Sequence, residues 1–170
     1  MSEKFTVGII VSNHFGVLNR VAGLYAKRGY NIDSLAVGET EDPEYSRMTI
    51  VSNGDSYMRE QVVRQLQKLH DVKMVTLFEK DKNVSTEHML IKLAADGSNK
   101  AKISEFINSF GGKVMDFGET FITAELTGTS EKIDEFIDRT KNHGILELCR
   151  SGCISMVHGT ENMLNIKNCD

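Results

Sequence analysis

Phe5, Val7, Ile9 and Val11 alternate with Thr6, Gly8 and Ser12, the period of a half-buried strand. The period then changes. Val17, Leu18, Val21, Leu24 and Tyr25 fall on one face of a helix. Lys27-Arg28-Gly29 ends it, with two cations at the negative end of the helix dipole. Leu35 and Val37 mark a second strand over 33–40. An acidic turn, Glu39-Thr40-Glu41-Asp42-Pro43-Glu44, reads as a solvated hairpin loop. Met48 and Ile50 alternate with Arg47 and Thr49 in a third strand over 45–52. Asp55 is placed to N-cap a helix carrying Met58, Val62, Leu66 and Leu69, and residues 72–78 make a fourth strand. The order is βαββαβ.

Asp81-Lys82-Asn83 reads as a linker, after which the pattern starts again. Met89, Ile91 and Leu93 predict a strand over 88–95, and Ile103, Phe106, Ile107 and Phe110 a helix stopped by Gly111-Gly112. Residues 114–117 and 121–126 form a hairpin around Gly118-Glu119. A helix follows Gly128-Thr129-Ser130, with Ile133, Phe136 and Ile137 along it, and a last strand spans 146–156, broken near Gly152. Gly54 and Gly128 hold the same place in the two halves. The chain therefore reads as an α+β protein of two tandem βαββαβ units, each an antiparallel sheet with helices on one face. The expected boundaries are 1–80, 81–157 and a polar tail, 158–170. A one-sided sheet with free edges is a natural dimer former.

Composition narrows the function classes. The 170 residues are 40% hydrophobic and 26% charged, with net charge −4. Without a long basic run, nucleic acid is not an expected partner. No apolar run has membrane-spanning length and Met1-Ser2-Glu3-Lys4 is no signal sequence, so the expected location is the cytoplasm, with no membrane partner. Cys149, Cys153 and Cys169 form no CxxC and read as idle thiols; a small enzyme using Cys149 or Cys153 would need a base that nothing identifies. The five histidines lack HxH or HExxH spacing, and no phosphate-binding glycine motif is present, so no catalytic or metal site is expected.

The candidate chemistry lies at the first strand-to-helix turn, Asn13-His14-Phe15-Gly16. A helix start offers unpaired backbone N–H groups, which suit an anion. Gly16 lets a carboxylate approach the backbone, Asn13 adds an amide, and Val17 and Leu18 add an aliphatic wall. Such a turn could hold a small amino acid. The plainer reading is a loop whose Gly and Asn serve only the turn.

The run Ser12-Asn13-His14-Phe15-Gly16-Val17-Leu18-Asn19-Arg20-Val21, with Lys27-Arg28-Gly29-Tyr30-Asn31-Ile32-Asp33-Ser34-Leu35 and Ser46-Arg47-Met48-Thr49-Ile50, resembles the ACT domain. More narrowly, it resembles the regulatory small subunits of acetolactate (acetohydroxyacid) synthase. Lys113-Val114-Met115-Asp116, Leu126-Thr127-Gly128 and Arg150-Ser151-Gly152 extend the likeness, so that it covers about residues 4–157. Phe110-Gly111-Gly112 and Thr86-Glu87 depart from the family pattern. The resemblance implies two ferredoxin-like units, an N-terminal ACT domain and a related C-terminal domain. It implies a non-catalytic regulatory subunit in branched-chain amino-acid biosynthesis. This subunit forms a homodimer and activates a catalytic large subunit, which carries thiamine diphosphate, magnesium and FAD; no cofactor is expected in this chain. It also implies feedback inhibition by a branched-chain amino acid, valine, bound between two ACT domains. Asn13, His14, Phe15, Gly16, Val17 and Leu18 would come from one copy, and Asn31 and Ile32 from the other. Asn19 would support the site. The alternative is a free-standing tandem ACT sensor regulating transcription, transport or another enzyme. The Arg28–Ile32 and Ser46–Met48 runs favour the synthase subunit.

Overall fold

The structure, a computed structural model, describes residues 3–79 and 81–160. Cys169 and most of the expected tail lie outside the described residues. The chain divides into two compact units, residues 3–85 with 153–160, and residues 86–152. The second unit thus ends at Gly152, whereas the sequence reading carries it to 157.

In the first unit, β1 (Glu3–Ser12), β2 (Ser34–Glu39), β3 (Tyr45–Gly54) and β4 (Val72–Phe78) form an antiparallel sheet in the order β2-β3-β1-β4. Helices α1 (Val17–Lys27) and α2 (Ser56–Leu66) join them in the βαββαβ order expected. The odd residues Phe5, Val7, Ile9 and Val11 pack with Val17, Val21 and Tyr25 of α1 and Val62 and Leu66 of α2.

The second unit repeats the design. Residues 86–94 of β5 (Asn83–Ala94), with β6 (Lys113–Phe117), β7 (Phe121–Gly128) and β8 (Ile145–Arg150), give the order β6-β7-β5-β8. Helices α3 (Lys100–Ser109) and α4 (Ser130–Thr140) cover one face, and Phe106, Phe110 and Phe136 meet there with ring centroids 5.0–5.3 Å apart.

The same local devices shape both copies. α1 ends with Gly29 N–H donating to the Ala26 carbonyl and Tyr30 N–H to the Tyr25 carbonyl; α3 ends with Gly111 to Asn108 and Gly112 to Ile107. Both caps need a left-handed residue, which Gly29 (φ 67°) and Gly111 (φ 71°) provide. The departure Phe110-Gly111-Gly112 is thereby a helix stop. The second helices start alike: Asp55 accepts from Met58 N–H at 2.7 Å, and Thr129 from Lys132 N–H at 3.3 Å.

One expectation changes, and another gains detail. Asn83 is no linker residue but the start of β5, a strand whose polar opening hides it from a hydrophobic pattern. The last strand breaks where expected, around Gly152: β8 stops at Arg150, and β9 (Ile154–Val157) follows after Ser151–Cys153. The segment from Cys153 belongs to the first unit, where Cys153 N–H donates to the Ser34 hydroxyl at 3.1 Å and Arg47 donates to the Ser155 carbonyl. The first sheet is therefore partly covered on the face opposite its helices. Ile10, on that face of β1, is fully buried.

Candidate functional site

β1 delivers the chain to the turn and α1 carries it away. Ser12 is the last residue of β1 and pairs with Tyr45. Asn13 then leaves the ladder, and Gly16 stands at the N-cap of α1 with φ 89° and ψ −10°. That left-handed conformation explains glycine here, and a Cβ at Gly16 would meet nothing within 4 Å. The space over the helix start is open. Gly16 offers no capping side chain, no other side chain caps α1 among the described residues, and its first turn carries no acidic residue. Val17 N–H already donates to the His14 carbonyl at 3.5 Å; beyond it, the uncapped start of the helix suits an anion.

The surrounding side chains divide sharply. Val17 is buried in the core, so it fixes the helix rather than lining an open surface. Leu18 is 44% exposed and Phe15 98% exposed. A phenylalanine left wholly in water at the rim of an open helix start is a feature that burial within the unit does not explain.

Asn13 is more constrained than the sequence suggests. Its Nδ2 donates to Glu39 Oε1 at 3.0 Å and to the Pro43 carbonyl at 2.9 Å, and its Oδ1 accepts from the Ser46 hydroxyl at 3.0 Å. Its backbone N–H donates to the Glu44 carbonyl at 2.7 Å. Both amide protons are used, so a ligand can take one only by displacing Glu39. The acidic β2–β3 loop is thus a wall of the turn, not the merely solvated loop read from sequence.

His14 and Arg20 both reach Asp71, in the connection between α2 and β4. His14 Nε2 lies 3.1 Å from Asp71 Oδ1, and Arg20 Nη1 donates to Oδ2. Burial pushes the Asp71 carboxyl up, but the Arg20 hydrogen bond and charge, together with His14, outweigh it and hold the group below its ordinary value. Asp71 carries no sequence signal. Arg20 does: a cation in the first turn of a helix opposes the dipole and calls for a carboxylate nearby.

Asn31 and Ile32 lie elsewhere. Asn31 is exposed and donates to Asp33 Oδ1 at 2.6 Å; Ile32 is half-buried against the core. Ser34, just beyond them, pairs with Val51, and Val51 with Thr6. Thr6 precedes Ser12 by six residues of continuous strand, about 20 Å at 3.3 Å per residue. Within one chain, then, Asn31 and Ile32 sit at the opposite end of the sheet from Asn13–Leu18. A groove of about 760 Å³ between α1 and α2, lined by Asn19, Arg20, Gly23, Leu24, Lys27, Arg28, Gln65 and Leu69, stops short of the turn.

The thiols form no such constellation. Cys149 is exposed, and buried Cys153 contacts the Ser155 hydroxyl at 3.5 Å. Among the described residues no helix is long and apolar enough to cross a membrane.

A family model described as "AHAS small subunit-like ACT domain" matches residues 7–74, and one described as "Small subunit of acetolactate synthase" matches residues 86–159. The chain is 40% identical to a probable acetolactate synthase small subunit of Methanothermobacter thermautotrophicus, over 95% of this chain and 96% of that one. It is 37% identical to the isozyme 3 small subunit of Escherichia coli, over 92% and 97%. The crystal structure of the acetolactate synthase small subunit from Thermotoga maritima superposes with a TM-score of 0.86 at 34% identity, covering 94% of this chain and 99% of that one. On fold and sequence together, the chain belongs to the acetolactate synthase small-subunit family and carries its ACT domain in the first unit.

Proposed function

We propose that this chain is a non-catalytic regulatory subunit that binds a branched-chain amino acid, valine, at a site completed by a second copy of itself. Through that site it sets the activity of a catalytic large subunit. The observation that carries the reading is the separation of the two residue sets. The open helix start with Phe15 and Leu18 lies at one end of the sheet, and Asn31 and Ile32 at the other. A two-fold pairing of two copies, their β2 edges antiparallel, brings one end of each against the other end of its partner. Valine is suited to such a cleft. Its carboxylate takes the free amides at the start of α1, and its isopropyl group lies on Leu18 and the partner copy's Ile32. Phe15 loses its exposure at the same contact.

Regulation follows by linkage. An effector that bridges two copies inhibits only if it prefers an arrangement of the pair that the activated complex lacks. The large subunit supplies the chemistry with thiamine diphosphate, magnesium and FAD, and this chain contributes affinity and coupling. The first unit carries the effector, and the second serves the large-subunit contact or the fold. The test is to mix the chain with an acetolactate synthase large subunit and measure acetolactate formation with and without valine. The expected result is a higher rate on mixing and its suppression by valine. Equal rates with and without the chain would refute the reading.

A further inference from the structure

One residue, from an element outside the turn, holds three consecutive parts of it. Asp71 is 4% exposed. Its backbone carbonyl accepts the N–H of Ser12, the end of β1, at 2.9 Å. One carboxylate oxygen meets His14, within the turn, at 3.1 Å, and the other accepts from Arg20, in the first turn of α1. Strand end, turn and helix start are all tied to the α2–β4 connection through this residue. The arrangement is costly to leave half-made. Asp71 is buried, so removing its partners strands a charge, while His14 and Arg20 are each more than half exposed and would otherwise be free to wander. Arg20 gains nothing from α1 itself, whose N-terminal dipole repels a cation.

We propose that Asp71 is a positioning residue for effector binding: it touches no effector but fixes residues 12–20 in the conformation that leaves the first amides of α1 open. This rests on reading the turn as an effector site. It adds a route by which the α2–β4 connection, far from the turn in sequence, governs effector affinity.

The test uses the full chain and two measurements. Valine binding is followed by calorimetry in Asp71→Asn, His14→Ala and the double variant, with Glu87→Gln in the second unit as a control for general destabilisation. Asp71→Asn is expected to weaken binding about tenfold, and the double variant to lose scarcely more than the worse single one, because both break the same anchor. Glu87→Gln should leave affinity unchanged. Wild-type affinity in folded Asp71→Asn, or losses that multiply fully with His14→Ala, would overturn the proposal. Amide hydrogen exchange gives an independent readout. Exchange at Ser12 and Arg20 should quicken about tenfold or more in Asp71→Asn while β3 stays protected; unchanged exchange there overturns the anchoring whatever happens to valine. If the wild-type chain binds no valine, the effector reading falls, and the exchange data alone decide the role of Asp71.

Discussion

Asn13 and Asn31 stand at opposite ends of one four-stranded sheet. Asn13 follows the last pair of β1 with β3, and Asn31 precedes the first pair of β2 with β3, with about 20 Å of strand between those two levels. Neither end could reach the other within a chain unless the sheet came apart. Any ligand that touches both must lie between two copies.

That geometry makes a mixed dimer diagnostic. Gly16→Asp blocks the turn, and Asn31→Ala removes the opposite contact. Each homodimer should lose most of its valine response. A heterodimer of the two variants has one site with both defects and one with neither, so it should recover about one valine per dimer. Calorimetry on tagged, co-purified heterodimers measures this. No recovery would mean that the two residues act within one chain, against the sheet register.

Gly16→Asp alone needs a control, because φ 89° strains any side chain there. Asparagine tolerates this backbone region about as well as aspartate and occupies a similar volume. Both variants should lose about 1 kcal/mol of stability or somewhat more. Only Gly16→Asp puts a negative charge against the open amides. Its valine affinity should fall at least tenfold below that of Gly16→Asn, with dimerisation intact. Equal affinities would move the carboxylate away from the helix start.

Much of this was legible in the chain, and what was not has a common cause. Asp55, Gly29 and the span of β4 could be read because caps and alternation are local: a few neighbouring residues contain the whole reason. The contacts of Asn13 with Glu39 and Pro43, and of Asp71 with His14 and Arg20, join residues 26 to 57 positions apart. No periodicity encodes them. Gly152 marked the break in the last strand, but where the chain goes after it is hidden for a related reason: Cys153 turns away to bond Ser34, a partner 119 positions earlier. Arg20 offered a local signal that the sequence reading left unused: a cation in the first turn of a helix calls for a carboxylate nearby.

Tyr25 offers a prediction with a defined sign. Its hydroxyl and that of Ser52 are both buried, and neither has a well-formed hydrogen bond among the described residues. Burial pushes the Tyr25 phenol up, and the nearby Ser52 hydroxyl offsets only part of this. Folded Tyr25 therefore keeps its proton where the unfolded chain releases it, so stability is full below the ordinary phenol value of about 10 and falls above it. Tyr25→Phe removes an unsatisfied polar atom. It should leave neutral-pH stability unchanged or raise it by up to about 1 kcal/mol, and it should flatten the alkaline loss. Chemical denaturation at neutral pH and at about pH 11 checks both. A marked loss at neutral pH would reveal a hydrogen-bond partner for the hydroxyl.

The second unit has its own critical pair. Glu87, nearly buried, takes a bidentate grip from Arg150, Nε to Oε1 at 2.6 Å and Nη2 to Oε2 at 2.8 Å, and also accepts from the Ser130 hydroxyl at 3.1 Å. Arg150 Nη1 donates to Asp134 at 2.7 Å, so strands β5 and β8 are tied to the start of α4. The Glu87 carboxylate, then Asp134, hold the guanidinium pKa above its ordinary value despite burial, which acts the other way. Of the Thr86-Glu87 pair, it is Glu87 that serves as a structural anchor. Glu87→Gln keeps the shape but removes the charge, leaving a partly buried guanidinium without its main partner. It should cost about 2 kcal/mol, below the range for a fully buried pair because Arg150 is one-third exposed. Denaturation midpoints read by a probe in each unit separate the effect: the second unit should unfold earlier while the first, with the Asn13–Gly16 turn, holds. A loss confined to the first unit would contradict the division of the chain at Ser85 and Thr86.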